Sequence, residues 1–341
     1  MIGEKMIKIT GKSERNIILA TLIVSCTISS VCSNIGVMTA MAPLVTAMCL
    51  AAGIGPSKAL LALLFGAQFG GFVTLVGVGS NATANSVMEQ MGINPFGFFS
   101  ITPFGIGVCV LGTLYFTFVG RKFIPDTGYV PEFAQTDRKP LDKRKAVIAV
   151  VTLLCVLVVI AVSPDNIPMH VAAVVGALVI VGTKCMTVQE AIKAIDWNCM
   201  LLVGSLTAIS TGVTNSGLGD AVAQGILNIL GDNPSTFMIT TVIFFAAALL
   251  TQVMSNIPCI MLFLPIGISI ANTIGVSPYP VAMTITLAGA ASYATPFAAP
   301  QNMMTVGWTH YKFLDFMKIG MPMLLVTYVV VVALIPIFLP Y

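Results

Sequence analysis

Long apolar stretches follow one another along almost the whole chain and are separated by short polar connections. Many of them approach the roughly 20 residues that a helix needs to cross a bilayer. The pattern predicts an all-α polytopic membrane protein. The apolar stretches are 16–32, 35–52, 59–76, 82–91, 98–119, 146–162, 168–183, 197–215, 236–254, 257–274, 279–294, 302–308 and 318–339.

Several stretches are too short to span a membrane alone and occur in pairs that small or polar residues interrupt. The interruptions are Ser33-Asn34, Gly77 to Asn81, Ser255-Asn256, and Thr295 to Asn302. Non-helical backbone at membrane depth is tolerated only where it faces protein or a wet cavity. The interruptions therefore predict two re-entrant helical hairpins and two discontinuous transmembrane helices, from which secondary transporters build their binding sites.

These features divide the chain into five parts. We predict an amphipathic cytoplasmic helix at 1–15, a first repeat at 16–119, a cytoplasmic linker at 120–145, scaffold helices with an amphipathic piece at 146–231, and a second repeat at 235–341. The first repeat comprises hairpin 16–52, broken helix 57–91 and helix 98–119. The second comprises hairpin 235–274, broken helix 279–308 and helix 314–339.

Composition and charge placement agree with this topology. Hydrophobic residues make up 57% of the chain and charged residues 9%, whereas about a quarter of a soluble domain is charged. If each hairpin returns to the face that it enters and every other predicted helix crosses the membrane, all 16 Lys and Arg residues fall on one side. Because basic residues mark the cytoplasmic side, we expect a multi-pass protein of the cell membrane (inner or plasma) with a cytoplasmic amino terminus.

The sequence also repeats itself. A shift of 222 residues places Ser33-Asn34-Ile35 on Ser255-Asn256-Ile257, Pro43 on Pro265 and Gly53 on Gly275. In the predicted topology the two copies enter from opposite faces, so the repeat is inverted, which is typical of secondary transporters. Three spans at 146–215 precede the second copy, and we expect corresponding scaffold helices to be missing before the first.

No charged residue lies in the middle of a predicted span, so neutral dipoles must hold a charged substrate. Helices that begin just after Ser33-Asn34, Ser255-Asn256 and the Gly79–Asn81 turn offer free N–H groups and positive dipole ends to an anion. The carbonyl, hydroxyl and amide oxygens freed at the same breaks suit a small hard cation such as Na⁺. An anion and a coupling cation can therefore share one site.

The chain resembles the divalent anion:sodium symporter family of the larger ion-transporter superfamily. The motifs that carry this resemblance are GKSER at 11–15, VCSNIGVMTAMAP at 31–43, GVGSNATAN at 77–85, AIDW at 194–197, MSNIPCIMLFLPI at 254–266, ATPFAAPQN at 294–302 and YKFLDFMKIGMPMLL at 311–325. The resemblance implies Na⁺-coupled symport of a di- or tricarboxylate or sulfate by an elevator mechanism. It also implies a homodimer if the scaffold is complete.

The candidate site residues combine the tip motifs with this resemblance. We predict substrate contacts from Asn34, Ile35, Asn256, Ile257 and Pro296. We predict Na⁺ coordination by Ser33, Asn34, Gly79, Ser80, Asn81, Ser255, Asn256, Thr295 and Asn302. The family usually has Thr at the third tip position, where this chain has Ile35 and Ile257, which weakens the case for a dicarboxylate.

Three alternatives remain. The first is a proton-coupled antiporter or oxyanion exporter of the same superfamily, and the second is a non-functional truncated fragment. The third is an intramembrane aspartyl protease, since Gly217 to Asp220 has the pattern GxGD, but no span supplies a second aspartate. We therefore predict no enzyme, no cofactor other than Na⁺ (or H⁺) as the coupling ion, and no nucleic-acid partner. The cysteines form no CxxC pair, so we expect free thiols.

Overall fold

The computed structural model describes Gly11 and residues 13–131, 142–162, 169–195 and 235–340, with isolated positions between 196 and 234. The predicted amphipathic helix at 1–15 and linker at 120–145 are thus described only in part. Most of 196–231, including Asp220 of the GxGD pattern, lies outside the described residues.

The described residues form α-helices joined by turns and two short 3-10 turns. The helices are α1 (Glu14–Ser29), α2 (Asn34–Ala52), α3 (Ser57–Gly71), α4 (Gly79–Gln90), α5 (Thr102–Phe118), α6 (Lys143–Val162), α7 (Met169–Gly182), α8 (Val188–Ala194), α9 (Thr236–Leu250), α10 (Asn256–Ile274), α11 (Pro278–Ala290), α12 (Pro300–Thr309) and α13 (Phe313–Phe338). In the part of the chain that the structure describes, five apolar helices are long enough to cross a bilayer, namely 34–52, 102–122, 144–162, 256–274 and 313–338. The helical, polytopic membrane class predicted from the sequence agrees with these elements.

Two groups of helices, α1–α5 and α9–α13, share one order of elements. The second helix of each group, α2 and α10, has 19 residues and contains a proline, Pro43 or Pro265. Each ends at a left-handed glycine, Gly53 with φ of 74° and Gly275 with φ of 79°. Only glycine adopts this conformation without a steric cost, so the same residue types end both helices in the same way.

Each group also contains one interrupted helix. The first interruption separates α3 from α4 at residues 72–78, and the second separates α11 from α12 at residues 291–299. The outer helices α5 and α13 approach these interruptions through Gly105 and Gly320. A Cβ at either glycine would overlap backbone at the start of the interruption, at Phe72 or Tyr293. The two contacts hold the non-helical backbone against protein, as its burial requires.

The two groups share a core in which aromatic rings from the first surround Tyr293 of the second. The rings of Phe65, Phe69 and Phe72 have centroids 6.0, 6.0 and 6.4 Å from that of Tyr293. The phenol oxygen of Tyr293 accepts a hydrogen bond from Thr327 Oγ1 at 3.4 Å. Aromatic pairs at these distances add to the energy of apolar burial, so this cluster fastens the two groups together.

Side-chain contacts show which helix ends lie together. At one end, Lys58 Nζ lies 3.1 Å from Glu14 Oε1, which joins the starts of α3 and α1. The guanidinium of Arg15 lies 4.3 Å from the ring centre of Phe118 at the end of α5. A separate contact joins the start of α11 to the connection between α4 and α5, where Tyr279 packs on Phe96 with ring centroids 4.9 Å apart.

Large apolar side chains cover the outer surface of α6 and α7. Val150 and Val158 on α6 and Val174 and Leu178 on α7 are more than half exposed. A surface of this kind suits a lipid environment rather than water. Length alone does not distinguish a re-entrant helix from a full span for α2 and α10, since both are long enough to cross, so the hairpin assignment stays a prediction.

Candidate functional site

Four helices begin at the wall of one cavity of about 410 Å³. Asn34 begins α2, Gly79 begins α4, Asn256 begins α10 and Pro300 begins α12, and all four line the cavity. The other lining residues are Ser33, Ile35, Gly77, Val78, Ser80, Ser255, Ile257, Ala298, Ala299 and Gln301. The cavity thus lies where the two tip motifs and the two interruptions meet, and its volume falls within the usual range for small-molecule sites, about 300–1,000 Å³.

The electrostatic character of the cavity comes from backbone rather than from charged side chains. None of the described residues that line it is Asp, Glu, Lys, Arg or His. Each helix start carries N–H groups that lack the usual partner four residues earlier in the helix, together with the positive end of a dipole, equivalent to roughly half an elementary charge. Four such ends at one cavity create a positive potential in a low-dielectric surrounding, which favours an anion.

The two tip asparagines are held in the same way. Asn34 Oδ1 accepts a hydrogen bond from Ser29 Oγ at 2.7 Å, and Asn256 Oδ1 accepts one from Thr251 Oγ1 at 3.0 Å. A hydroxyl four residues before each Ser-Asn pair therefore contacts its amide, and Thr251 Oγ1 also lies 2.7 Å from the carbonyl oxygen of Gly289, which competes for its single proton. With the oxygen engaged, the amide N–H groups are the remaining donors, and donors are what an anion requires.

A second pair of asparagines holds the two interruptions. Asn81 Nδ2 donates to the carbonyl oxygens of Gly71 and Thr74 at 3.0 and 3.1 Å. Asn302 Nδ2 donates to those of Ser292 and Thr295 at 2.9 and 2.8 Å. Both asparagines are fully buried. Each of them satisfies carbonyl groups that the helix has released and that water does not reach.

Around the two interruptions the structure leaves buried oxygen atoms without a hydrogen-bond partner. Among the described residues these include Asn81 Oδ1, Ser80 Oγ, Gln68 Oε1 and Ser292 Oγ. The equivalent oxygen in the second group, Asn302 Oδ1, accepts from Gln68 Nε2 at 2.8 Å. Unpaired buried acceptors are costly, and neutral oxygens of this kind are suitable ligands for a small hard cation.

The predicted site residues separate into those that line the cavity and those that do not. Eight of them line the cavity, namely Ser33, Asn34, Ile35, Gly79, Ser80, Ser255, Asn256 and Ile257. Asn81, Thr295, Pro296 and Asn302 do not line it; Pro296 is buried at the start of a 3-10 turn. The structure thus brings the two Ser-Asn motifs to one cavity and places the asparagines of the interruptions behind its wall.

Sequence reasoning missed several polar residues around the site. Ser29 and Thr251 correspond to each other under the shift of 222 residues, so the repeat could have revealed them. Gln252 is a second case, since it accepts from Ala294 N at 2.8 Å and donates to Ala291 O at 2.9 Å. At the same shift Gln68 corresponds to Ala290 in the second repeat, so no repeat signal could have identified it.

Comparison with known proteins gives one family and several relatives. The family model described as citrate transporter (CitMHS) matches residues 1–288. The chain is 30% identical over 190 residues to the uncharacterized transporter YfbS of Escherichia coli, an alignment that covers 55% of this chain and 31% of that protein. It is 31% identical over 131 residues to the Na⁺/citrate cotransporter of Rattus norvegicus, covering 38% of this chain and 23% of the relative.

A third relative is sodium/sulfate cotransporter 2 of Chlamydomonas reinhardtii, which is 26% identical over 160 residues, covering 47% of this chain and 18% of the relative. In these three alignments the chain spans less than a third of the length of each relative.

Proposed function

Since the chain belongs to the citrate transporter family, we propose that it is part of a secondary active transporter that carries a small anion together with Na⁺. The observation that carries this proposal is the convergence of four helix starts on one uncharged cavity. Backbone N–H groups and the amides of Asn34 and Asn256 are the anion-binding groups. A site without lysine or arginine releases its anion readily, because it contains no buried counter-charge.

Na⁺ is the proposed coupling ion. Relatives named as Na⁺/citrate and sodium/sulfate cotransporters support this choice. The unpaired oxygens of Ser80 and Asn81 lie at the start of the same helix, α4, that borders the cavity. A cation bound there would satisfy these oxygens and would attract the anion across the cavity wall. Binding of each ion would then strengthen binding of the other, which is the thermodynamic requirement for coupling.

The proposed mechanism is an elevator in which an inverted repeat moves against scaffold helices. The surroundings of two corresponding helix starts support inversion. Helix α3 begins beside Glu14, at the start of α1, and beside Asp126. Helix α11 begins instead beside Phe96, which follows the end of α4, so the broken helix of the second repeat starts near the place where that of the first repeat ends. The hairpin of α6 and α7 packs mainly on itself rather than on the two repeats, which suits a separate scaffold. We also propose that the amino terminus and the basic connections lie on the cytoplasmic side, and that the protein forms a homodimer.

The proposed substrate is a di- or tricarboxylate or sulfate. The names of the relatives cover citrate and sulfate, and the cavity is large enough for either. Ile35 and Ile257 line it from opposite halves and offer no hydrogen bond. A site that has exchanged two hydroxyl donors for apolar groups disfavours a second carboxylate relative to a compact oxyanion.

Uptake by the protein in proteoliposomes tests the proposal. We expect accumulation of radiolabelled citrate, succinate or sulfate under an inward Na⁺ gradient. Replacement N34A or N256A should reduce that uptake to background, since several kcal/mol of binding are lost when buried partners are left unpaired. The matched control N272A alters an exposed asparagine of α10 and should leave uptake unchanged.

Two outcomes would contradict the proposal. Uptake by N34A and N256A within about twofold of wild type, about 0.4 kcal/mol, would remove these residues from the site. Uptake that follows a proton gradient and ignores Na⁺ would favour the alternative, a proton-coupled exchanger of the same superfamily.

A further inference from the structure

A second cavity, of about 620 Å³, lies outside the proposed transport site, between α6, α7 and the first interruption. Its walls are almost entirely apolar. The lining residues are Leu75, Val76, Val78, Gly79, Ala82, Ala149, Thr152, Leu153, Val156, Leu157, Ile160, His170, Ala173, Gly176, Ala177 and Ile180. We propose that this cleft holds one acyl chain of an anionic phospholipid, whose headgroup binds Arg144, Lys145 and Lys184.

The length of the cleft fits a chain from one leaflet. On α6 the lining extends from Ala149 to Ile160, a helical distance of about 17 Å at 1.5 Å per residue. Half of a bilayer's hydrocarbon core is about 15 Å thick. The outward faces of α6 and α7 carry large exposed apolar residues, including Val150 and Val174. The cleft therefore opens within a surface that itself suits lipid.

Basic residues stand at one end of this cleft. Lys145 lies four residues before Ala149 and so occupies the same helical face, one turn beyond the lining. Lys184 lies four residues after Ile180, just beyond the end of α7. Cys185 Sγ lies 3.8 Å from the carbonyl oxygen of Lys145, which brings the two chain segments together. Positive charge thus meets the cleft where a lipid headgroup would emerge.

Asp142, the acid nearest to Arg144 in sequence among the described residues, forms no ion pair with these side chains. Asp142 Oδ1 accepts hydrogen bonds from the backbone N–H groups of Arg144 and Lys145 at 3.0 and 3.4 Å, so its carboxylate is engaged at the start of α6. The side chains of Arg144, Lys145 and Lys184 are exposed. Among the described residues none of these three forms an ion pair. An anionic headgroup supplies the missing counter-charge, whereas a zwitterionic one supplies less.

The cleft also shares two wall residues with the anion cavity, Val78 and Gly79. A lipid chain in the cleft would therefore press on the start of α4 from the side opposite to the transported anion. Binding of lipid is nevertheless measured separately from transport, so the two proposals stand or fall independently.

Lipid retention by the purified protein tests the inference. After exposure to equal amounts of phosphatidylglycerol and phosphatidylcholine, native mass spectrometry should show phosphatidylglycerol retained at about one molecule per chain. The variant R144Q/K145Q/K184Q should weaken that binding about 100-fold, since each basic residue near the surface contributes about 1 kcal/mol. The control K122Q/K312Q/K318Q removes three basic residues that do not border the cleft and should retain the lipid.

A second pair of variants tests the acyl chain. The double substitution A173L/A177L fills the cleft and should abolish retention with the headgroup site intact. The control V174L/V175L adds bulk on α7 at positions that do not line the cleft and should not change it. Equal retention of both lipids, or retention that survives either the triple variant or A173L/A177L, would overturn the inference. Monodisperse elution of every variant confirms that folding is preserved.

Discussion

At the scale of single residues, the asparagines carry most of the account. Asn34 and Asn256 border the cavity, whereas Asn81 and Asn302 lie behind it and hold the interruptions. The Ser-Asn pairs were predictable, because they stand out as polar breaks between apolar stretches and recur at a fixed shift. The sequence did not predict that one pair of asparagines lines the cavity and the other bonds the carbonyls of the interruptions. These roles depend on which carbonyl groups each amide contacts in the folded chain.

Replacement N302A tests the holding role. It would remove the hydrogen bond to the carbonyl of Thr295 and one hydrogen bond each from the Ser292 carbonyl and the Gln68 amide, which keep only their mutual bond of 3.1 Å. We expect a loss of about 2–5 kcal/mol in the free energy of unfolding. Chemical denaturation in mixed micelles measures it, with the exposed substitution N272A as control. A change within about 0.5 kcal/mol of wild type would show that Asn302 does not hold the interruption.

At the scale of elements, the apolar pattern predicted where most helices lie in the sequence, but it predicted only some of the packing contacts between them. The predicted stretch 35–52 corresponds to α2 and 257–274 to α10. The packing of α5 and α13 on the interruptions was not foreseen, because single glycines at Gly105 and Gly320 give no periodic signal. The interruption at 291–299 also contains a 3-10 turn, Pro296–Ala298, which apolar patterning does not encode.

The contact between α1 and α5 can be tested by cross-linking. Cys26 Sγ and Cys109 Sγ are free thiols, as predicted, and lie 2.8 Å apart. In a variant that keeps only these two cysteines and carries a protease site in the connection 92–97, oxidation with copper phenanthroline should join α1 to α5 and hold the two cleavage fragments together. Because both helices belong to the first repeat, we expect Na⁺-driven uptake to persist after cross-linking.

The serine variants C26S and C109S are the controls, and each should abolish the cross-link. Failure of the intact pair to cross-link would mean that α1 and α5 are packed differently. Loss of uptake on cross-linking, restored by a reducing agent, would mean that the two helices move relative to each other and do not form one rigid unit.

At the scale of the whole molecule, the sequence resemblance to sodium-coupled anion symporters is confirmed by membership in the citrate transporter family. Two halves with the same order of elements meet at one cavity, and the cavity is uncharged although its proposed ligands are ions. The repeat made the meeting of the tips predictable. The cleft between α6, α7 and the first interruption was not, because its walls come from segments that share no motif.

The central claim is that both halves form one site for an anion and Na⁺, and protection of cysteines from chemical modification tests it most directly. Substitutions I35C and I257C, made separately in a background without the native cysteines, place a thiol at the cavity from each half. We predict that sulfate or citrate with Na⁺ slows labelling of both thiols at least about tenfold, a free-energy difference of about 1.4 kcal/mol, and that the anion with K⁺ does not. A thiol at Lys122, away from the cavity, should label equally in all conditions. Protection of only one position, of neither, or of both without Na⁺ would contradict the account.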